Sequence, residues 1–457
     1  MRTTSLPNDP IRLTDKRIDL GMNFKFAPDN QVWLKGGRGR QRVSMSGDLV
    51  SPETGDLLRL LYKSPSILDT GRLESLQSAT NTTDVQFRHA VTFDATVWTW
   101  GLERSRLDRT GVVAEALTGF SGNRTAPVVF AAAQVSDVKT TDAYVSAKFQ
   151  RAGMFDFQID LARQRGRSTI VDQQVSGFAF DSSGDLVDQR GFENMTVFNY
   201  TELNPRFGLQ WQLAPLQSLR LVSQRWRRPG SAGSLSPIDT VGITLNDRLV
   251  SAGGLYRRTR VQFDGELGPN SFMQIFVDQE RVDNPRSALP SPVAGFELSQ
   301  LENLRNRTEV FTARSDLEET PDFARGRVDS VGATFNHLVG RNQTVAVRYL
   351  GRNARQQGSN EGLKIPYIPR HYAQLTSQWA LTEGWLVGTR ATFRSARFRD
   401  DANQDPIAAG WAFGLTGYWQ DASKHHSLQA ILDNLLTRRQ AGIQPDPHLV
   451  VRYSYRF

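Results

Sequence analysis

The chain has 457 residues, with 55 Lys and Arg against 47 Asp and Glu for a formal net charge of +8, 39% hydrophobic residues and no cysteine. Low mean hydropathy and the lack of any apolar run of about 18 residues exclude transmembrane helices, but not strands that cross a membrane with every second residue polar. Without cysteine there are no disulfides and no thiolate metal sites, which suits passage through an oxidising periplasm.

Only eight of the 55 basic residues are lysine, so the positive charge is almost all guanidinium. Such an excess fits a nucleic-acid surface, a solvated face or a pore lined by arginine, and position along the strands decides between them. The N-terminus, Met1-Arg-Thr-Thr-Ser-Leu-Pro7, has no apolar stretch of the signal-peptide kind. Residues 1–17 read as a polar N-terminal segment containing Pro7 and Pro10, and residues 18–457 as one β-rich domain.

From Ile18 onward the pattern has period two and recurs in pairs of segments about ten residues long. Ile18–Phe26 pairs with Gln31–Val43, and Asp84–Val91 with Thr96–Arg104. Ala143, Val145, Ala147 and Phe149 alternate with polar residues up to the turn Arg151–Met154, and Phe155, Phe157, Ile159 and Leu161 continue after it. The same unit returns at Phe207–Leu213 with Leu219 and Leu221, at Val261–Phe263 with Met273–Val277, and at Ala333–Phe335 with Val345–Tyr349. It closes with Leu375–Trp379 before Trp385–Phe393, and Trp411–Trp419 before Leu428–Leu432. Successive strand side chains point to opposite faces, so each segment has one apolar and one polar face.

Long polar connections separate the pairs, roughly 44–83, 105–140, 165–203, 228–254, 281–325, 353–369 and 395–408. Short turns alternating with long loops are the layout of an outer-membrane barrel, with the turns on the periplasmic side and the loops outside. The reading is therefore an all-β fold, a closed transmembrane antiparallel β-barrel of Gram-negative type. About seventeen strands are visible: eight hairpins and a last strand, Pro447–Phe457. Single-chain bacterial barrels have even numbers of strands. Parity and the missing signal together lead to the expectation of an N-terminal portion ahead of this chain and 18–22 strands in the complete protein.

In the last strand Leu449, Val451, Tyr453, Tyr455 and Phe457 share one face. Tyr453, Tyr455 and the terminal Phe457 resemble the signal by which the outer-membrane barrel-assembly machinery recognises its substrates. Three further stretches resemble the barrel of TonB-dependent receptors. Asn204-Pro-Arg-Phe-Gly-Leu-Gln-Trp-Gln-Leu-Ala-Pro215 followed by Leu219–Pro229 is similar to that family's hairpin ending in an Arg-x-Pro-like element. Ile365-Pro-Tyr-Ile-Pro-Arg-His371 is similar to its approach to a late strand, and Leu428-Gln-Ala-Ile-Leu-Asp-Asn-Leu-Leu436 to the segment before its final strand. The resemblance covers roughly residues 200–457. It implies a transporter or receptor moving a solute across the cell outer membrane, in contact with the bilayer and lipopolysaccharide. No plug sequence is visible, so any coupling to TonB would run through an N-terminal region absent from this chain.

No catalytic motif stands out, and no enzyme activity, cofactor or metal site is expected; the six histidines are scattered, and His425-His426 reads as part of a solvated turn. Lys35-Gly-Gly-Arg-Gly-Arg-Gln-Arg42 has the look of an RNA-binding tract but ends a strand, so it reads as a basic barrel rim with no nucleic-acid partner. Arg260, Arg348, Arg390, Arg394, Arg452 and Arg456 all fall on the polar phase of their strands and are the candidate lumen-lining residues. Asp156, Asp160, Asp264 and Glu266 share that phase, so ion pairs along the wall and attraction of anionic solutes are both open. Trp211, Trp226, Trp379, Trp385, Trp411 and Trp419 with Tyr453 and Tyr455 read as aromatic girdles, except that Trp226 falls on the polar phase. The alternatives to uptake are a passive or export pore, such as the barrel end of a tetratricopeptide-repeat polysaccharide exporter, and a soluble β-rich protein.

Overall fold

A computed structural model describes residues 12–47, 67–121, 124–150, 154–180, 186–188, 193–228, 235–236, 239–245, 249–250, 253–284, 323–398, 401–404, 406–435 and 448–455. The first half of the sheet holds β1 (Arg12–Ala27), β2 (Asn30–Gly47), β3 (Ile67–Phe93), β4 (Thr96–Ser121), β5 (Arg124–Gln150), β6 (Phe155–Phe180), β7 (Leu186–Asp188), β8 (Glu193–Ala214) and β9 (Gln217–Arg227). A separate two-stranded hairpin follows, β10 (Asp239–Thr240) and β11 (Ile243–Thr244). The second half holds β12 (Leu255–Gly268), β13 (Ser271–Asp283), β14 (Arg325–Val339), β15 (Gln343–Gln356), β16 (His371–Thr382) and β17 (Trp385–Arg394). After the small pair β18 (Arg397–Phe398) and β19 (Pro406–Ile407) come β20 (Gly410–Gln420), β21 (His426–Leu435) and β22 (His448–Tyr455).

Seventeen of these strands form one antiparallel series, each paired with the next in sequence, while β7 pairs with the far end of β6 alone. Eight short turns lie at one end, as the alternation required, while the equally short β4–β5 connection lies at the other. Each uses residues that reverse a strand at little cost: Pro28-Asp29, Pro215-Leu216, Pro269-Asn270 and Glu383-Gly384 among them. Gly384 has φ +82°, and a Cβ there would lie 2.3 Å from the Gln420 carbonyl oxygen, so no other residue fits.

The outer face is apolar and the inner face polar. Register sets Val261 opposite Val277 and Val277 opposite Val331, all exposed. Their chain neighbours Gln262 and Asp278, on the other phase, are buried. A band of this extent is a liability in water and the natural surface of a barrel in lipid. Aromatic rings collect at the turn end, where Phe155 stacks on Trp211 at 5.9 Å and Trp385 meets Trp419 at 6.3 Å.

Three expectations need correction. First, β3 to β6 are 26 or 27 residues long, and β4 pairs with β5 up to Ser121 opposite Arg124, so residues 105–121 and 124–140 are strand and not a long loop. There consecutive residues share polarity, as in Val112-Val113-Ala114 and Val128-Val129-Phe130, so the period-two signal fades while the backbone ladder continues. Second, no pairing joins β1 to β22 among the described residues, so the sheet is open at that seam and not a closed barrel. The first and last members of a seventeen-strand antiparallel series run in the same direction, so no antiparallel ladder can form between them.

Third, the connection between β9 and β12 does not stay outside. It turns inward, and Val241 and Ile243 cluster with Val222 of β9, five residues, or roughly 17 Å, below the strand end at Arg227. Gly208 of β8 makes room for it: a Cβ there would lie 2.7 Å from Thr240 and 2.8 Å from Val241. Inner-face glutamines hold its backbone. Gln158 accepts from the Val241 N–H at 2.9 Å and donates to the Asp239 carbonyl at 3.2 Å. Gln224 donates to the Ile243 carbonyl at 3.0 Å, and Gln86 accepts from the Leu235 N–H at 2.6 Å. Behind it Leu249, Val250, Phe323, Ile365 and Ile368 form a buried cluster with Tyr256, Val282, Val328 and Ala354 of the wall. Trp226 packs against this cluster, which explains its place on the polar phase.

Candidate functional site

Between the inturned segment and the wall of β12 to β15 lies a cavity of about 490 Å³. Five arginines line it, Arg220, Arg258, Arg260, Arg348 and Arg352, against the two carboxylates Asp278 and Glu280. Strand phase places them, since each is an even-numbered residue of its strand and even-numbered residues face inward on β9, β12, β13 and β15.

The carboxylates are committed to part of this charge. Arg258 donates through Nε to both Asp278 oxygens at 3.0 and 2.9 Å and through Nη1 to the Thr244 carbonyl at 3.0 Å. Tyr256 donates to Glu280 at 2.6 Å, and Glu280 lies 3.8 Å from Arg258. Arg220 has Asp264 behind it at 3.6 Å, where Gln262 and Gln274 also donate to that carboxylate at 2.8 and 2.7 Å. Counting Asp264, five guanidiniums face three carboxylates, so the cavity carries excess positive charge. Arg260 is held more loosely, 3.6 Å from Asp278 and with its guanidinium 3.6 Å above the Phe276 ring. A cation over an aromatic face with an incomplete ion pair keeps donors available to an incoming anion.

Of the arginines picked out by phase, Arg260 and Arg348 line the cavity. Arg394 is linked to them through buried Tyr372, whose ring lies 5.9 Å from the Arg348 guanidinium and 5.8 Å from that of Arg394. Arg390 shares the inward phase of β17 with Thr392 and Arg394 but does not line the cavity. Arg452 stands apart on β22, exposed and paired in register with Gln429. Arg456 and Phe457 lie outside the described residues. Tyr453 and Tyr455 are exposed, and His426 shares a 2.7 Å hydrogen bond with the Tyr453 hydroxyl and packs against Tyr455. His426 is thus a strand residue held by aromatic partners and not part of a solvated turn.

Arg220, Arg258 and Arg352, with both carboxylates, escaped the sequence reading because nothing in it brought the 228–254 connection inside. The available signal was apolar residues on the inner phase beside that connection: Val222, Trp226, Tyr256 and Phe276.

No family model and no curated protein matches this sequence. Solved structures do match its fold. The ferric yersiniabactin uptake receptor FyuA from Yersinia pestis is 11% identical with a TM-score of 0.61 over 98% of this chain and 61% of its own. The siderophore receptor PiuA from Acinetobacter baumannii is 11% identical with a TM-score of 0.57 over 94% and 61%, and the ferric citrate transporter FecA is 12% identical with 0.56 over 98% and 62%. The chain therefore spans about three fifths of the length of the structures it resembles. Its fold is that of the strand sheet of TonB-dependent outer-membrane receptors.

Proposed function

We propose that the chain is the membrane-spanning part of an outer-membrane receptor of the TonB-dependent type, and that its solute is anionic. The fold likeness and the exposed apolar band support the membrane location. The observation that carries the solute class is the cavity, in which arginine outnumbers carboxylate and whose walls are protein on both sides. Guanidinium keeps its charge at any working pH and reads carboxylate and phosphate oxygens in pairs. Water-poor surroundings strengthen that attraction.

A wide passive pore fits less well, because the inturned segment is held to the inner wall by Gln158 and Gln224 on the Asp239–Thr244 hairpin and by Gln86 on Leu235 ahead of it. Energy coupling is part of the proposal, and uptake by intact cells is expected to cease when TonB is deleted. The direct test is a planar bilayer. The full chain is expected to conduct weakly, and removal of residues 235–245 to open an anion-preferring channel. In that channel Arg260→Glu with Arg348→Glu should move the reversal potential toward cations. A channel that prefers cations before the reversals, or ignores them, would assign the arginines to wall ion pairs alone.

A further inference from the structure

The outward phase of the sheet carries a second arginine array that the lumen does not use. Register sets Arg225 opposite Arg257, Arg257 opposite Arg281, Arg281 opposite Arg327 and Arg327 opposite Arg355. Five arginines thus form one unbroken cross-strand row over β9, β12, β13, β14 and β15. Directly opposed side chains on neighbouring strands have Cβ atoms about 5 Å apart, and like charges so placed repel. A row of five is therefore costly unless anions stand between them.

Among the described residues the chain supplies few. Arg225 turns to Glu202 at 3.1 Å and Asn204 at 2.9 Å, Arg327 to Asp329 at 2.9 Å, and Arg355 to the Asn353 side chain and the Gly362 carbonyl, both at 3.2 Å. Arg257 and Arg281, the exposed neighbours on β12 and β13, have no carboxylate partner among the described residues. Elsewhere on the same face the protein answers its own charge. In the row Arg106, Lys139 and Arg167, Arg106 meets Asp108 at 2.9 Å and Lys139 meets Asp137 at 2.8 Å.

The row also has a fixed height. Four residues toward the turns on β12 is Val261, in the exposed apolar row Val261, Val277 and Val331, with only Thr259, Gln279 and Asp329 between. Four residues is roughly 13 Å. The arginines thus stand just beyond the hydrocarbon edge, at headgroup level, on the side that faces lipid. We infer that this row is a binding surface for phosphorylated lipid headgroups of the facing leaflet, with phosphate groups lodged between Arg257 and Arg281 as the missing counter-charge. Guanidinium forks suit phosphate oxygens, and a row across five strands spans about 19 Å, enough for more than one headgroup. The inference rests on the apolar band being lipid-facing.

The test uses the full chain in neutral detergent, as wild type and as Arg257→Gln with Arg281→Gln, titrated with detergent-dispersed phosphatidic acid or phosphatidylcholine. Phosphatidic acid is expected to bind and raise the melting temperature of the wild type, and phosphatidylcholine to do neither. The double variant should bind phosphatidic acid about thirtyfold more weakly, taking about 1 kcal/mol for each arginine lost. Without lipid it should melt no lower than wild type, because a repulsive pair has been removed. Equal affinity of the two proteins, equal affinity for the two lipids, or equal competition by free inorganic phosphate would each overturn the inference. Both proteins should fractionate with the outer membrane. A wild type found in the soluble fraction would overturn the lipid-facing reading itself, separately from lipid affinity.

Discussion

Arg258 and Asp278 form the best-connected ion pair of the lumen wall, with side chains 6% and 4% exposed. Removing one partner of such a pair leaves a charge without compensation, at a cost of about 3–5 kcal/mol. Glu280, 3.8 Å from Arg258, moderates the loss, so Asp278→Ala is expected to cost about 3 kcal/mol in urea unfolding, at the lower end of that range. A cost near zero would mean that the pair is screened by lumen water. At the turn end, Asp421 accepts from Ser423 and from the His426 backbone at 2.8 Å, and the Ser423 bond leads in holding its carboxyl below the ordinary range. A depressed carboxylate contributes stability that is complete above its unfolded value and lost as pH falls through the folded one. The wild type should therefore lose a small increment over Asp421→Asn at neutral pH as acid is added, with the two converging once the carboxylate is protonated. On β22, Tyr455→Arg should impair assembly more than Ser454→Arg, since a charge on the lipid-facing phase costs up to about 2–4 kcal/mol at the bilayer midplane. Deleting Phe457 should act in the same direction, read as reduced heat-modifiable migration on gels.

At the scale of the element, the deciding feature is the inward turn of residues 235–236, 239–245 and 249–250. Its hairpin is too short to be stable alone, and its position comes from the wall: Gln158 and Gln224 offer side-chain amides where the hairpin backbone needs partners, and Gln86 does so for Leu235 ahead of it. Gly208 leaves the space it occupies. Gly208→Val is therefore expected to push the hairpin off the wall while β8 and β9 stay paired. In a planar bilayer this should raise conductance toward that of the 235–245 deletion, and unchanged conductance would show that the hairpin does not limit the lumen. Half of this element could be read beforehand. Trp226 on the polar phase was visible as an anomaly, and apolar inner-phase side chains need an apolar partner. The partner's identity could not be read, because Leu249, Val250, Phe323, Ile365 and Ile368 come from three connections distant in sequence.

For the molecule as a whole, the contrast is between an outer face with an apolar band and an arginine row beyond it, and an inner face crowded with hydrogen-bonded polar groups. Heat-modifiable migration and fractionation with the outer membrane are expected, whereas recovery from the soluble periplasm would contradict the band. Salt separates the two arginine populations. Exposed guanidiniums of the outer row are screened as the Debye length falls from about 10 Å at 0.1 M to about 3 Å at 1 M. Selectivity of the opened channel should weaken over that range but barely change between about pH 5 and 8, since arginine does not titrate there. A strong pH dependence would point instead to the carboxylates of the wall.

What the sequence determined by itself is local and periodic. Period-two alternation marked the hairpins from Ile18 to the last strand, the turn residues placed the eight reversals at one end, and strand phase set Arg260, Arg348 and Arg394 on the face opposite the exposed apolar residues of their strands. These follow from strand geometry, in which each residue's face depends only on its position in the alternation. Tertiary structure alone decided the rest. How far β3 to β6 extend depends on neighbours that keep pairing after the alternation has gone. Which charges meet depends on cross-strand register, which sets Arg258 opposite Glu280 with Asp278 on the diagonal, and Arg257 opposite Arg281. Which connection enters the lumen depends on a groove that exists only once β6, β8 and β9 stand side by side, because the amides that hold the hairpin come from separate strands and are assembled by the sheet.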